Sequence, residues 1–113
     1  MKTLYLHNPR CSKSRQGLEL IKSNGINHEV IEYLKNPLKK SELSLLFDLL
    51  SQRYSWKEFT RVKEKEFNQN TDKMTKTNWI KLIIGTPKLI ERPILFNDKN
   101  AVIGRPPENL LSF

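Results

Sequence analysis

The chain has 113 residues, 37% hydrophobic and 28% charged, a balance that suits one globular domain and excludes an intrinsically disordered chain. No apolar run approaches the ~20 residues that cross a bilayer. The opening "MKTLYLHNPR" breaks at His7 and Pro9, short of the ~7–15 apolar residues of a secretory signal, so a cytoplasmic protein with no membrane partner is expected. The formal charge of +8 points to anionic partners, but the basic residues are spread out rather than gathered in a tail. Solvated lysines on helix faces account for most of the excess, and the lack of a basic-aromatic stacking motif disfavours nucleic-acid binding.

"KTLYL" (2–6) predicts a short strand carrying Leu4 and Leu6, interrupted by Asn8-Pro9. A helix is expected from Ser12 to Asn24, with Leu18 and Ile21 three apart and Asn24-Gly25 as its stop. "HEVIEYL" (28–34) predicts a second strand around Val30, ended by Asn36-Pro37. Ser41 has the chemistry of an N-cap with Glu42 in the first turn, and Leu43, Leu46, Phe47 and Leu50 follow at i, i+3, i+4, i+7. "SWKEFTRVKEKEF" (55–67) predicts a short helix fraying into a charged segment. "TKTNWIKLIIG" (75–85) predicts another helix, with Trp79, Leu82 and Ile83 on one side and Gly85 as its stop. "PILF" and "AVIG", joined by "NDKN", predict an antiparallel hairpin. "RPPENLLSF" predicts a short apolar helix entered through prolines. The first βαβ unit is expected to be parallel with a right-handed crossover. This order is the pattern of an α/β, thioredoxin-like (glutaredoxin-like) fold. It has a mixed four-stranded sheet in a single domain, 1–113, with a helical insertion at about 38–88.

Cys11 is the only cysteine, which excludes an internal disulfide. It leaves a small buried hydrophobe, a reactive thiol or an intermolecular bond. Cys11 falls where the first strand gives way to the first helix. A helix N-terminus carries partial positive charge and unpaired N–H groups. Such placement, with nearby cations, brings a thiol from about 8.5 into a range of roughly 3.5–7.5. Its neighbours are Arg10 and Ser12 rather than apolar residues, which favours the reactive thiol. His7 and Arg10 are candidate contributors, and Asn8-Pro9 sets up an irregular turn able to aim N–H groups at an anion.

"HNPRCSKSR" (7–15), Arg92-Pro93 and "IGRPPE" (103–108) together resemble the arsenate reductase family of the glutaredoxin-coupled type (ArsC-like), closest to its arsenate-reductase-like members. The resemblance covers essentially the whole chain. It implies a thioredoxin-like core with a helical insertion and Cys11 as the catalytic nucleophile, held as thiolate with help from His7. It also implies an oxyanion surrounded by Arg61, Arg92 and Arg105, with Arg53 in place of Arg61 if the alignment slides, and a cis Arg92–Pro93 bond. Guanidinium forks bind tetrahedral oxyanions bidentately, which lysine cannot do. Two departures stand out: Ser12-Lys13 replaces the Gly-Thr of arsenic-resistance enzymes, and Ser14 replaces the second cysteine of the Spx-like redox regulators.

The implied function is reduction of arsenate to arsenite through a Cys11 adduct, with glutathione and glutaredoxin as external reductants. Arsenate or a similar oxyanion is the substrate and glutathione a thiol co-substrate, with no bound cofactor and no metal. Reduction takes two electrons and the chain has one thiol, so the residues themselves demand an external thiol. The alternative is a non-enzymatic Spx-like regulatory or protein-binding module on the same fold, with RNA polymerase as partner.

Overall fold

The computed structural model describes all 113 residues, Met1–Phe113, and forms two compact units. The first comprises Met1–Asn36 and Arg92–Phe113, the second Pro37–Glu91.

The first unit is built on a four-stranded sheet of β1 (Leu4–Leu6), β2 (Glu29–Ile31), β3 (Ile94–Phe96) and β4 (Ala101–Ile103), in the order β2-β1-β3-β4. β1 runs parallel to β2, with Leu6 opposite Ile31, and antiparallel to β3, with Tyr5 opposite Leu95. β3 and β4 form the antiparallel hairpin, Leu95 facing Val102. The sheet is therefore mixed, as the strand order predicts. "LYL" and "ILF" are continuous apolar runs because these central strands are buried on both faces. β2 is shorter than expected, and Val30 is exposed on this edge strand. The chain turns away at once, with Lys35 and Asn36 donating their N–H groups to the Glu32 carbonyl.

Helix α1 (Ser12–Ser23) links β1 to β2 and stops where Asn24-Gly25 predicts. Gly25 takes the left-handed φ of 67°, its N–H bonds the Lys22 carbonyl, and the Ile26 N–H bonds that of Ile21. These paired bonds make a Schellman stop that a side chain at Gly25 would strain. Ile21 packs with Tyr5, Leu95 and Leu110, and Leu18, Ile26 and Phe113 close the edge of that core. The C-terminal segment Pro107–Ser112 is a 3-10 helix. The Arg92–Pro93 bond is cis, as expected, and so is Arg105–Pro106.

The second unit holds α2 (Lys40–Ser51), α3 (Lys76–Gly85) and a 3-10 turn at Pro87–Leu89. α2 starts earlier than the serine signal suggests. Lys39 is the N-cap residue, and its N–H donates to the Glu42 carboxylate at 2.8 Å, leaving Ser41 inside the first turn. The predicted stripe is buried at Leu43, Leu46 and Leu50, and Phe47 meets the rings of Phe59 and Trp79 at 5.6 and 5.4 Å. Thr75 caps α3 by accepting the Asn78 N–H.

The helix predicted over 55–67 does not form; the segment is a run of turns with a bridge between Thr60 and Ile90. Its backbone bonds go elsewhere: the Arg61 N–H to the Leu89 carbonyl at 2.7 Å, and the Glu91 N–H to that of Phe59 at 3.1 Å. Trp79 Nε1 donates to Thr60 Oγ1 inside the core. Burial of Phe59 and Thr60 against these partners outweighs local helix propensity. No helix of the chain is long and apolar enough to cross a membrane.

Candidate active site

The site lies in the first unit, where β1 ends and α1 begins. Asn8–Cys11 forms a tight turn: the Cys11 N–H bonds the Asn8 carbonyl at 3.0 Å and the Arg10 N–H bonds Asn8 Oδ1 at 3.1 Å. Cys11 is the N-cap of α1, extended at φ −95° and ψ 122°. Its carbonyl accepts the Arg15 N–H at 3.0 Å, while its half-buried side chain sits where N-cap side chains normally accept from the first turn.

From the segment just before β3 and from the loop after β4 come two guanidinium groups, those of Arg92 and Arg105. Arg105 Nη1 lies 3.9 Å from Cys11 Sγ and donates to the Arg92 carbonyl at 3.0 Å. Arg105 thereby spans the sulfur and the backbone of the residue that carries the second guanidinium. Burial pushes the Cys11 thiol up. The Ser14 N–H, the hydrogen bond and charge of Arg92, and a hydrogen bond from Arg105 overcome this and hold the thiol below its ordinary range. The geometry thus collects an N-cap thiol and two guanidinium groups around one point, which can stabilise a thiolate and bind an oxyanion beside it.

His7, which is 8% exposed, directs Nδ1 to Ser14 Oγ at 2.7 Å. Burial holds its imidazole below the ordinary histidine range; Glu32 opposes this, and Lys22 and Arg15 add to it. A neutral His7 supplies no net positive charge to the thiolate. Arg15 is turned away to the Pro9 carbonyl at 2.9 Å.

Arg61 belongs to the second unit. Its Nε and Nη2 donate to Glu64 Oε1 at 3.2 and 3.0 Å, and Nη1 donates to Glu91 Oε1 at 2.9 Å. Burial works against its charge, but Glu64 and Glu91 more than compensate. Its guanidinium is thus engaged by carboxylates. The chain has no cluster of three or more metal-ligating side chains.

Sequence reasoning missed what Ser14 does. It is fully buried. Its Oγ accepts the Asn8 N–H at 2.9 Å and meets His7, and its carbonyl accepts the Tyr5 hydroxyl at 2.6 Å. The available signal was its position: three residues into a helix that starts at the nucleophile, it faces back across the strand end.

Residues 6–113 match the model of the ArsC family. An arsenate reductase of Neisseria meningitidis serogroup A is 39% identical over 107 residues, covering 92% of this chain and 91% of that protein. The uncharacterized protein YfgD of Escherichia coli K12 is 43% identical over 108 residues, covering 93% and 90%. Among solved structures, arsenate reductase from Vibrio cholerae superposes with a TM-score of 0.85 at 36% identity, covering 99% of this chain and 97% of that one.

Proposed function

The chain belongs to the ArsC family, and we propose that it is a cytoplasmic arsenate reductase using Cys11 as nucleophile and glutathione and glutaredoxin as reductants. The observation that carries this reading is the Cys11 sulfur at the α1 N-terminus, with Arg105 3.9 Å away and Arg92 bonded to it. The thiolate attacks arsenic, forming a sulfur–arsenic bond as an oxygen leaves as water. Arg92 and Arg105 hold the remaining oxygens and neutralise their charge. A glutathione thiolate then attacks the Cys11 sulfur. The sulfur–arsenic bond breaks with its electron pair moving to arsenic, which leaves as arsenite, and the two sulfurs are oxidised to a mixed disulfide. Glutaredoxin exchanges its own thiol into that disulfide and frees Cys11.

The buried, hydrogen-bonded Ser14 provides no second thiol, which argues against a regulator switched by an internal disulfide. The test is arsenite production from arsenate with glutathione and glutaredoxin, comparing the native protein with Cys11→Ser. The expected result is turnover that the substitution abolishes. Native activity no greater than that of the variant overturns the reading.

A further inference from the structure

We propose that Ser14 is a positioning residue for Cys11, and that His7 acts on the thiol only through it. The inference rests on the reading of Cys11 as a nucleophile and adds the device that presents it. The Ser14 N–H stabilises the thiolate, so its direction matters to the sulfur. That peptide is fixed from several sides. Tyr5 donates its hydroxyl to the Ser14 carbonyl at 2.6 Å, and the Asn8 N–H and His7 Nδ1 hold Oγ at 2.9 and 2.7 Å. The glycine at position 17 leaves room for this, since a Cβ there would stand 2.6 Å from the Tyr5 hydroxyl.

Proton accounting gives His7 its state. Ser14 Oγ already accepts the Asn8 N–H, and its single hydroxyl proton needs an acceptor because the side chain is fully buried. His7 Nδ1 is that acceptor, which requires the neutral ring protonated at Nε2. An imidazolium would put a proton between the same two atoms and strand the hydroxyl. The groups facing this pair agree with the assignment. Lys22 and Arg15 disfavour a charged His7, Glu32 alone favours one, and the Tyr5 ring lies 5.7 Å away. Around the sulfur itself the titratable and charged groups are Arg92, Arg105 and Tyr5. His7 and Ser14 therefore act in series: His7 orients the hydroxyl, the hydroxyl anchors the turn, and the peptide N–H meets the sulfur.

The test is a double-mutant cycle on the pH dependence of Cys11 alkylation by iodoacetamide, using the full-length protein, His7→Leu, Ser14→Ala and the pair. At pH values well below the native midpoint, where the rate tracks the small thiolate fraction, Ser14→Ala is expected to slow alkylation at least about threefold, equivalent to half a pH unit in the thiol midpoint. Adding His7→Leu to Ser14→Ala should change the rate by less than about 1.5-fold, because coupled residues are not additive. Multiplicative losses would overturn the proposal, as would an unchanged rate in Ser14→Ala or a second inflection near the histidine range in the native profile. If Ser14→Ala fails to fold by circular dichroism, Tyr5→Phe decides. It leaves Oγ and His7 in place and frees only the Ser14 carbonyl; slower alkylation supports the proposal and an unchanged rate overturns it. A native midpoint near about 8.5 means instead that the nucleophile reading itself has failed.

Discussion

Replacing Gly17 by alanine separates a packing account from a propensity account, because the two predict opposite signs. In an open helix the change stabilises by about 0.5–1 kcal/mol. Here the new Cβ would lie 2.6 Å from the Tyr5 hydroxyl, 2.8 Å from Leu110 Cδ1 and 3.3 Å from Pro93 Cγ. The leucine tip can rotate away. The Tyr5 hydroxyl can yield only by leaving the Ser14 carbonyl, 2.6 Å from it. Overpacking costs about 1–3 kcal/mol and the lost hydrogen bond about 1 kcal/mol, so after the gain in propensity the net loss is about 1–3 kcal/mol. At about 4 °C per kcal/mol for a chain of this size, Tm falls by about 4–12 °C. Thermal unfolding followed by circular dichroism measures it. A Tm equal to or above the native value would refute the argued contact between Gly17 and Tyr5.

Thr60→Val keeps the shape of a buried residue but strands the Trp79 Nε1–H that bonds Thr60 Oγ1 at 2.9 Å; denaturant titration should show a loss of about 1–3 kcal/mol. Arg105→Lys keeps the charge but not the fork that bonds the Arg92 carbonyl and approaches the sulfur, so the arsenate KM should rise about tenfold in steady-state assays. Because burial lowers the His7 pKa, the unfolded chain takes up the histidine proton first, and native stability falls as pH drops below about 6.5. His7→Gln should flatten that acid-side slope in denaturant titrations run across pH. With glutaredoxin omitted, one round of arsenate and glutathione should leave Cys11 as a mixed disulfide, visible by intact mass and reversed by dithiothreitol.

What could be read from the chain alone divides along the range of the forces involved. The α1 stop was legible because Asn24, Gly25 and Ile26 bond carbonyls within the preceding turn or so. The turns at 55–67 were not, because Arg61 and Glu91 exchange backbone bonds with residues 28 and 32 positions away in sequence, and no local pattern records that. In the site, Cys11 announced itself by its basic company, and Arg92 and Arg105 by their prolines. Arg61 was expected beside the oxyanion, and its carboxylate partners, Glu64 three residues on and Glu91 thirty residues on, emerged only from the fold. Ser14 read first as a missing thiol, and its partners Tyr5, His7 and Asn8 reveal a positive use for its hydroxyl and peptide.

The account stands on an activated thiol at position 11. Its most direct test is the rate of Cys11 alkylation by iodoacetamide in the native protein, from about pH 4 to 10, with Arg105→Lys alongside. The native midpoint is expected below that of an ordinary cysteine, because the Ser14 N–H, Arg92 and Arg105 stabilise the thiolate, and it is expected to rise in Arg105→Lys. A native midpoint near about 8.5, the value of an ordinary cysteine, would contradict it.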